Sequence, residues 1–347
     1  MAVRSYQTLG IELAPYVLDW GGTEQVKDVL LAQAQLFTSE HTLVLANTDN
    51  RFSQSNTKSP FYGRSIELAP VTLAIDGVNV YTGFIRAISL DHAARTASII
   101  TENAFTMPAN SNVILTANGL NPAAAIQTIL VNAGLGAYID PVSFAAARSN
   151  FTAAGATINL NYVAGGNTTA LAAIQAISSM CSVSCFVVNG LIKLQAWQPY
   201  QGNLSGVKYQ IAAATTYAFG TLEEAYQSLS NSVTVLWGSS SLYLKNAASI
   251  ALNGIETNTQ LAGGTGGQIV IPNLSSATYF GQQFLARAST LRRQGRLNAG
   301  SSLIGVNIGD RVSIAAPNWS TSPLAFEVLE AKVNLNDLSV EMLCATL

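Results

Sequence analysis

The residues able to do chemistry in this chain are few and widely spaced. There are two histidines, His41 in Ser39-Glu40-His41-Thr42 and His92 in Leu90-Asp91-His92-Ala93. A catalytic or metal-binding imidazole needs convergent partners, and neither has them in sequence, so His41 reads as structural and His92 as part of a solvated turn. Cys181 and Cys185 are four apart, a spacing that could place a metal or redox pair on one helix face. With no second pair and no nearby histidine, they read instead as small buried residues at a helix end. Cys344 leaves the cysteine count odd, which fits a reducing compartment and no disulfide framework. Gly263, Gly264, Gly266 and Gly267 form a glycine-rich loop without the Lys-Ser/Thr ending of a phosphate-binding loop, so it reads as a linker. Glu40 and the Glu223-Glu224 pair have no carboxylate partner at a catalytic spacing, and no Gly-x-Ser-x-Gly elbow marks a nucleophile. The expectation is no catalytic residue, no metal and no cofactor. One basic concentration remains, Arg287, Arg292, Arg293 and Arg296, readable as a helix end complementing the dipole or as a patch at an interface or channel.

Positioning elements follow from patterning. From residue 1 to about 105, apolar and polar residues alternate and the chain reads as β. Val71–Ile75 and Val78–Tyr81 flank Asp76-Gly77, a two-residue hairpin turn. A second return at Asp91–Arg95 sends Thr96–Thr101 back along Phe84–Leu90, a meander suited to a barrel. Residues 106–202 read as a helix-plus-hairpin module. Asn121-Pro122 caps and opens a helix ending near Gly134, a second helix opens at Thr168 or Thr169, and Asn189-Gly190 turns a hairpin. Residues 203–347 return to strands at Asn231–Trp237, Val306–Ile314 and Phe326–Cys344, with a helical insertion near 277–294 closed by Gly295. The fold class is therefore mainly β (α+β), with two curled sheets or barrels, expected to superpose, around a small middle module.

Composition points to assembly. Of 347 residues only 10% are charged and 49% are hydrophobic, and the net charge is −2, well below the roughly 25% charged of average proteins. A surface so poor in repelling charge is expected to be hidden against neighbours. Seventeen basic against nineteen acidic residues make no case for general nucleic-acid binding. No secretory signal opens the sequence, and its apolar runs fall short of the roughly 18 residues of a membrane span.

The order of these features resembles the tail hub, or baseplate hub, proteins of long-tailed bacteriophages. Asn47-Thr48-Asp49-Asn50-Arg51-Phe52-Ser53 followed by Tyr81-Thr82-Gly83-Phe84-Ile85 is similar to their opening barrel. Leu171–Ile177 running into Phe186–Leu194 resembles their helix-then-hairpin. Leu229–Val235, Ala248–Ala251, the helix before Arg292-Arg293 and Ile308-Gly309-Asp310-Arg311-Val312 resemble a second barrel with its inserted helix. The resemblance implies two tail-tube-like barrels per subunit, and a homotrimer whose six quasi-equivalent barrels ring a channel for genome ejection. It also implies a virion location, assembly in the bacterial host cytoplasm and no enzymatic activity. The implied partners are a distal tail or tail tube protein, tip or fibre proteins, and the tape measure protein and DNA passing through. The sequence stops at Leu347 without the long extensions of many relatives, which removes the ground for expecting receptor binding. Two alternatives are a hexameric distal tail protein and a carbohydrate-binding tail-tip module using Trp20, Trp197, Trp237 and Trp319, although scattered tryptophans at strand ends are more often core.

Overall fold

The computed structural model describes residues 2–26, 40–105, 111–164, 166–196, 207–211, 217–219, 223–224, 229–261, 268–314 and 324–346. The glycine-rich loop at 263–267, Trp197 and Trp319 lie outside the described residues.

Eight strands come first: β1 (Arg4–Thr8), β2 (Ile11–Glu12), β3 (Val17–Asp19), β4 (Gly22–Val26), β5 (Glu40–Ala46), β6 (Pro70–Ile75), β7 (Val78–Asp91) and β8 (Thr96–Glu102). Seven form one antiparallel sheet in the order β2-β1-β6-β7-β8-β5-β3. Asp76 and Gly77, both at positive φ, turn β6 into β7, as a primed two-residue loop requires.

The middle of the chain supplies β9 (Leu115–Leu120), α1 (Pro122–Asn132), α2 (Pro141–Ala153), β10 (Ile158–Tyr162), α3 (Ala170–Cys181), β11 (Val183–Val188) and β12 (Leu191–Ala196). Asn121 caps α1 by accepting from Ala123 N, and Thr169 caps α3 by accepting from Ala172 N. Ser182, in the left-handed region, ends α3 and starts β11, so Cys181 and Cys185 sit on a helix and a strand and not on one helix face. Both are buried.

Then follow β13 (Val207–Ile211), β14 (Tyr217–Phe219), β15 (Glu223–Glu224), β16 (Ser232–Trp237), β17 (Ser240–Lys245), α4 (Ala247–Asn253), β18 (Asn258–Leu261), β19 (Ile269–Val270), α5 (Leu274–Ala288), β20 (Arg293–Ala299), β21 (Arg311–Ile314), β22 (Leu324–Asn334) and β23 (Val340–Thr346). The inserted helix α5 ends at Ala288, where Ser289 N bonds Leu285 O, earlier than the expected 294. Arg293 and Gly295 lie instead in β20. The reason is period two, because Gly295, Leu297 and Ala299 are buried while the residues between them are not.

The second large sheet, β13-β21-β22-β23-β20-β14, repeats the strand order of the first. Matched in sequence order, β1, β3, β5, β6, β7 and β8 correspond to β13, β14, β20, β21, β22 and β23. The register repeats too. Phe84 faces Glu102 and Ile85 faces Thr101, with a bulge before Ala87–Ile100. Glu327 faces Ala345 and Val328 faces Cys344, with a bulge before Glu330–Leu343. On the other edge, Ile85 N bonds Ala69 O and Leu68 N bonds Ile85 O, while Val328 N bonds Asp310 O and Gly309 N bonds Val328 O. The returns after β7 and β22 each end on a left-handed residue, Arg95 and Leu338. One pairing departs from the pattern: β13 runs parallel to β21, whereas β1 runs antiparallel to β6.

Two links cross the divisions drawn from the sequence at 105 and 202. Strand β4 leaves the first sheet and pairs antiparallel with β22, Gly22 opposite Asn334 and Val26 opposite Glu330. The sheet of β16, β17 and β18 with α5 packs into one core with α1, α2 and α3, where Phe280 and Phe284 are fully buried. Gly281 lets that helix close on the sheet, since a Cβ there would lie 2.7 Å from Leu244 Cδ1. The two large sheets share a second core. Strand β11 joins the cores, with Val183 and Cys185 in the first and Phe186 and Val188 in the second, because alternate residues face opposite sides.

Candidate functional site: the arginine cluster and the clasp strand

The four arginines separate into an inner and an outer pair. Arg287, in the last turn of α5, and Arg292, just before β20, are both buried, and both approach Glu327 of β22, at 3.8 Å and 3.6 Å. Burial, aided by the neighbouring Arg287 charge, pushes Arg292 down to about 10. They line a cavity of about 370 Å³ with Lys193, Asp310 and Arg311, between α2, the β11–β12 hairpin and the second sheet. The outer pair lies on β20. Arg293 is 3.6 Å from Glu224. Arg296 reaches Glu341 at 2.5 Å and Glu330 at 3.4 Å, and both carboxylates hold its guanidinium charged.

Glu330 also meets Lys332 at 2.7 Å, and Lys332 meets Glu24 of β4 at 3.2 Å. A line of alternating charge therefore runs from β20 across β22 to the clasp strand. Backbone pairing is reinforced at the ends of β4, where Gln25 donates to Asn307 Oδ1 and Gly21 O accepts from Leu335 N. Trp20 N donates to Asn336 Oδ1, and Asn336 Nδ2 donates to Asp19 Oδ1. Gly21 is required here. Its φ is positive, and a Cβ would meet Thr42 O at 2.4 Å.

The histidines have separate environments. His41 is 1% exposed, between the rings of Tyr6 and Tyr81, with Nε2 2.9 Å from Trp20 O. Burial holds its pKa below the usual imidazole value. His92 is on the exposed return after β7, with Nδ1 3.2 Å from Asn50 Oδ1. The hydrogen bonds of the two rings go to a backbone carbonyl and an amide oxygen, neither of them an acid, base or nucleophile. Among the described residues no three His, Cys, Asp or Glu side chains converge as a metal site. No described helix is long and apolar enough to cross a membrane. Trp20 and Trp237 are both half-buried, Trp20 carrying the Arg4 guanidinium at 5.5 Å and Trp237 packing against the core that holds α1–α3 and α5.

This geometry is one of strand edges, shared cores and ion pairs, and comparison with solved structures places it. The chain is similar to the tail protein from Neisseria meningitidis, at 12% identity and TM-score 0.60, covering 99% of this chain and 96% of that one. It is similar to the tail protein of prophage MuSo2 from Shewanella oneidensis, at 10% identity and TM-score 0.59, covering 99% and 98%. The fold is that of phage tail proteins. An E. coli type VI secretion component, described as structurally similar to the T4 tail proteins gp27 and gp5, also aligns, at 9% identity and TM-score 0.53, over 99% of this chain and 76% of that one. No family profile and no curated protein matches the sequence itself.

The β7–β8 hairpin was expected from the sequence, but the crossing of β4 and the residue-by-residue match of that hairpin to β22–β23 were not. The repeat had a signal, since corresponding positions in the two hairpins lie at one constant spacing along the chain. The destination of β4 had none, because Gly-Thr-Glu-Gln-Val is short and generic.

Proposed function

We propose that this chain is a structural, non-enzymatic hub subunit of a bacteriophage tail tip or baseplate, located in the virion and assembled in the bacterial cytoplasm. The observation that carries the reading is the internal repeat, two sheets of the same strand order and register in one chain, within a fold shared with phage tail proteins. Three such chains bring six equivalent sheets to a ring, the arrangement needed to join a sixfold tube to a threefold tip. The two large sheets are then the tube-forming units, and the outer module, read from the sequence as 106–202, also takes in the β16–β18 sheet and α5 that pack on its helices. A distal tail or tail tube protein would seat on one face and tip or fibre proteins on the other, with the tape measure protein and DNA passing through the channel. Of the arginine cluster, Arg293 and Arg296 reach solvent on β20 and are proposed to face a neighbour or the channel. Two sheets per chain favour three copies over the six of a distal tail protein. Native mass spectrometry of the recombinant protein and of virion-derived tips tests this. A trimer is expected. A stable monomer in virions, or six copies contributing one sheet each, would sink the reading.

A further inference from the structure

The internal repeat is incomplete in one place. On β22, the stretch Glu330–Asn334 carries β4 along the edge it shares with β21. The counterpart on β7, in the same position beyond the same bulge, is Ala87–Asp91. Among the described residues β6 pairs with β7 only as far as Phe84, with Ile85 bonded to Ala69 and Leu68, and no strand continues along Ala87–Asp91. Side-chain burial reflects the difference. Ala331 and Val333, beside β4, are 2% and 6% exposed, whereas their counterparts Ile88 and Leu90 are only partly buried against the same core. Leu335, which follows β22 and bonds Gly21 O, is fully buried, and its counterpart His92 is exposed.

Backbone direction makes this edge competent to pair. Asn334 N bonds Ser339 O across the return, so by antiparallel alternation the N–H groups of Val333 and Ala331 point towards β4. In the matching register, Leu90 and Ile88 direct theirs outward. An open edge with apolar side chains beneath it is a template for a further strand.

We propose that Ala87–Asp91 of β7 accepts an extended segment from the second half of another copy of this chain, in the place that β4 takes on β22. Each chain then fills one edge with its own strand and leaves one for its neighbour. The contact is head-to-tail, and such a contact closes into a ring when the rotation between copies permits. The inference builds on the ring reading but specifies which edge makes the contact.

The test places the photo-crosslinking residue p-benzoylphenylalanine at position 89 in one variant and at position 332 in another, in assemblies reconstituted from equal amounts of 14N- and 15N-labelled chains. Position 332 lies beside the chain's own β4 and should crosslink within one label. Position 89 is expected to give mixed-label pairs in about half of its crosslinked peptides. Same-label products only at position 89 would mean that the chain covers its own edge, overturning the proposal. A trimer with no crosslink from position 89 would overturn the edge assignment and leave the ring reading standing, whereas a monomer would overturn both. As a second measurement, Leu90→Pro removes an outward donor. It should shift native mass spectra to monomer with the circular dichroism spectrum retained, and an intact trimer from this variant would count against the proposal.

Discussion

At Glu327 one carboxylate faces two buried guanidinium groups, Arg287 and Arg292. Removing one partner of a buried ion cluster costs more than the cluster contributes, because the remaining charge stays desolvated. Glu327→Gln is therefore expected to lower unfolding free energy by about 3–5 kcal/mol, measured by urea titration. A loss under ~1 kcal/mol would show that the charges are compensated by other means. His41 makes a pH prediction. Its folded pKa lies below the usual imidazole value of 6.5 because it is buried, so the unfolded chain takes up the proton first. The stability due to neutral His41 is complete above pH 6.5 and falls as pH drops towards the folded value, by at most ~1.4 kcal/mol per pH unit. His41→Phe should flatten the slope between pH 6.5 and 5. An unchanged slope would remove His41 as its source.

Hairpin tips decide how the elements dock. Asn189-Gly190, between β11 and β12, rests against Thr82 of β7, and a Cβ on Gly190 would stand 2.4 Å from Thr82 Cβ at a φ of +78°. Gly190→Ala should cost about 2–4 kcal/mol, from left-handed strain and overpacking together. Combining it with Thr82→Gly should recover the overpacking share, so the double variant falls short of additivity by about 1 kcal/mol or more. Strict additivity would mean that the tip does not bear on β7. This turn was readable in advance because Asn-Gly has a local reason to be where it is, as were the Asp76-Gly77 turn and the caps Asn121 and Thr169. Helix α2 carried the same kind of signal, Asp140 before Pro141, yet its alanines and serines blurred the apolar face. The end of α5 was misplaced because Arg292, Arg293 and Gly295 suit a helix terminus by type. The β20 pairing with β23 is set by residues about forty to fifty positions away, which local pattern does not reveal. The arginine cluster was likewise visible as a cluster, but its division into inner and outer pairs depends on Glu327, Glu330 and Glu341, which only the folded sheet brings near.

For the whole molecule, the shared core has a thermodynamic consequence. Tyr6, Leu73 and Ile99 of the first sheet lie in one buried cluster with Leu297, Phe326 and Met342 of the second, so the sheets should unfold as one cooperative unit. Hydrogen exchange in rising denaturant should show β5–β8 and β20–β23 losing protection together. Separate midpoints would mean that the two sheets are independent bodies. The clasp between β4 and β22 also imposes an order of events during synthesis. β4 leaves the ribosome early, but its partner follows about 300 residues later, which at roughly 5–20 residues per second is a delay of about 15–60 s. Throughout that interval the nascent chain carries an unsatisfied strand near its front, and the second sheet must gather its earliest and latest pieces in one step. Fast elongation and chaperone cover over the first 26 residues should therefore raise the yield of native protein, and stalled or truncated chains should be the species that aggregate.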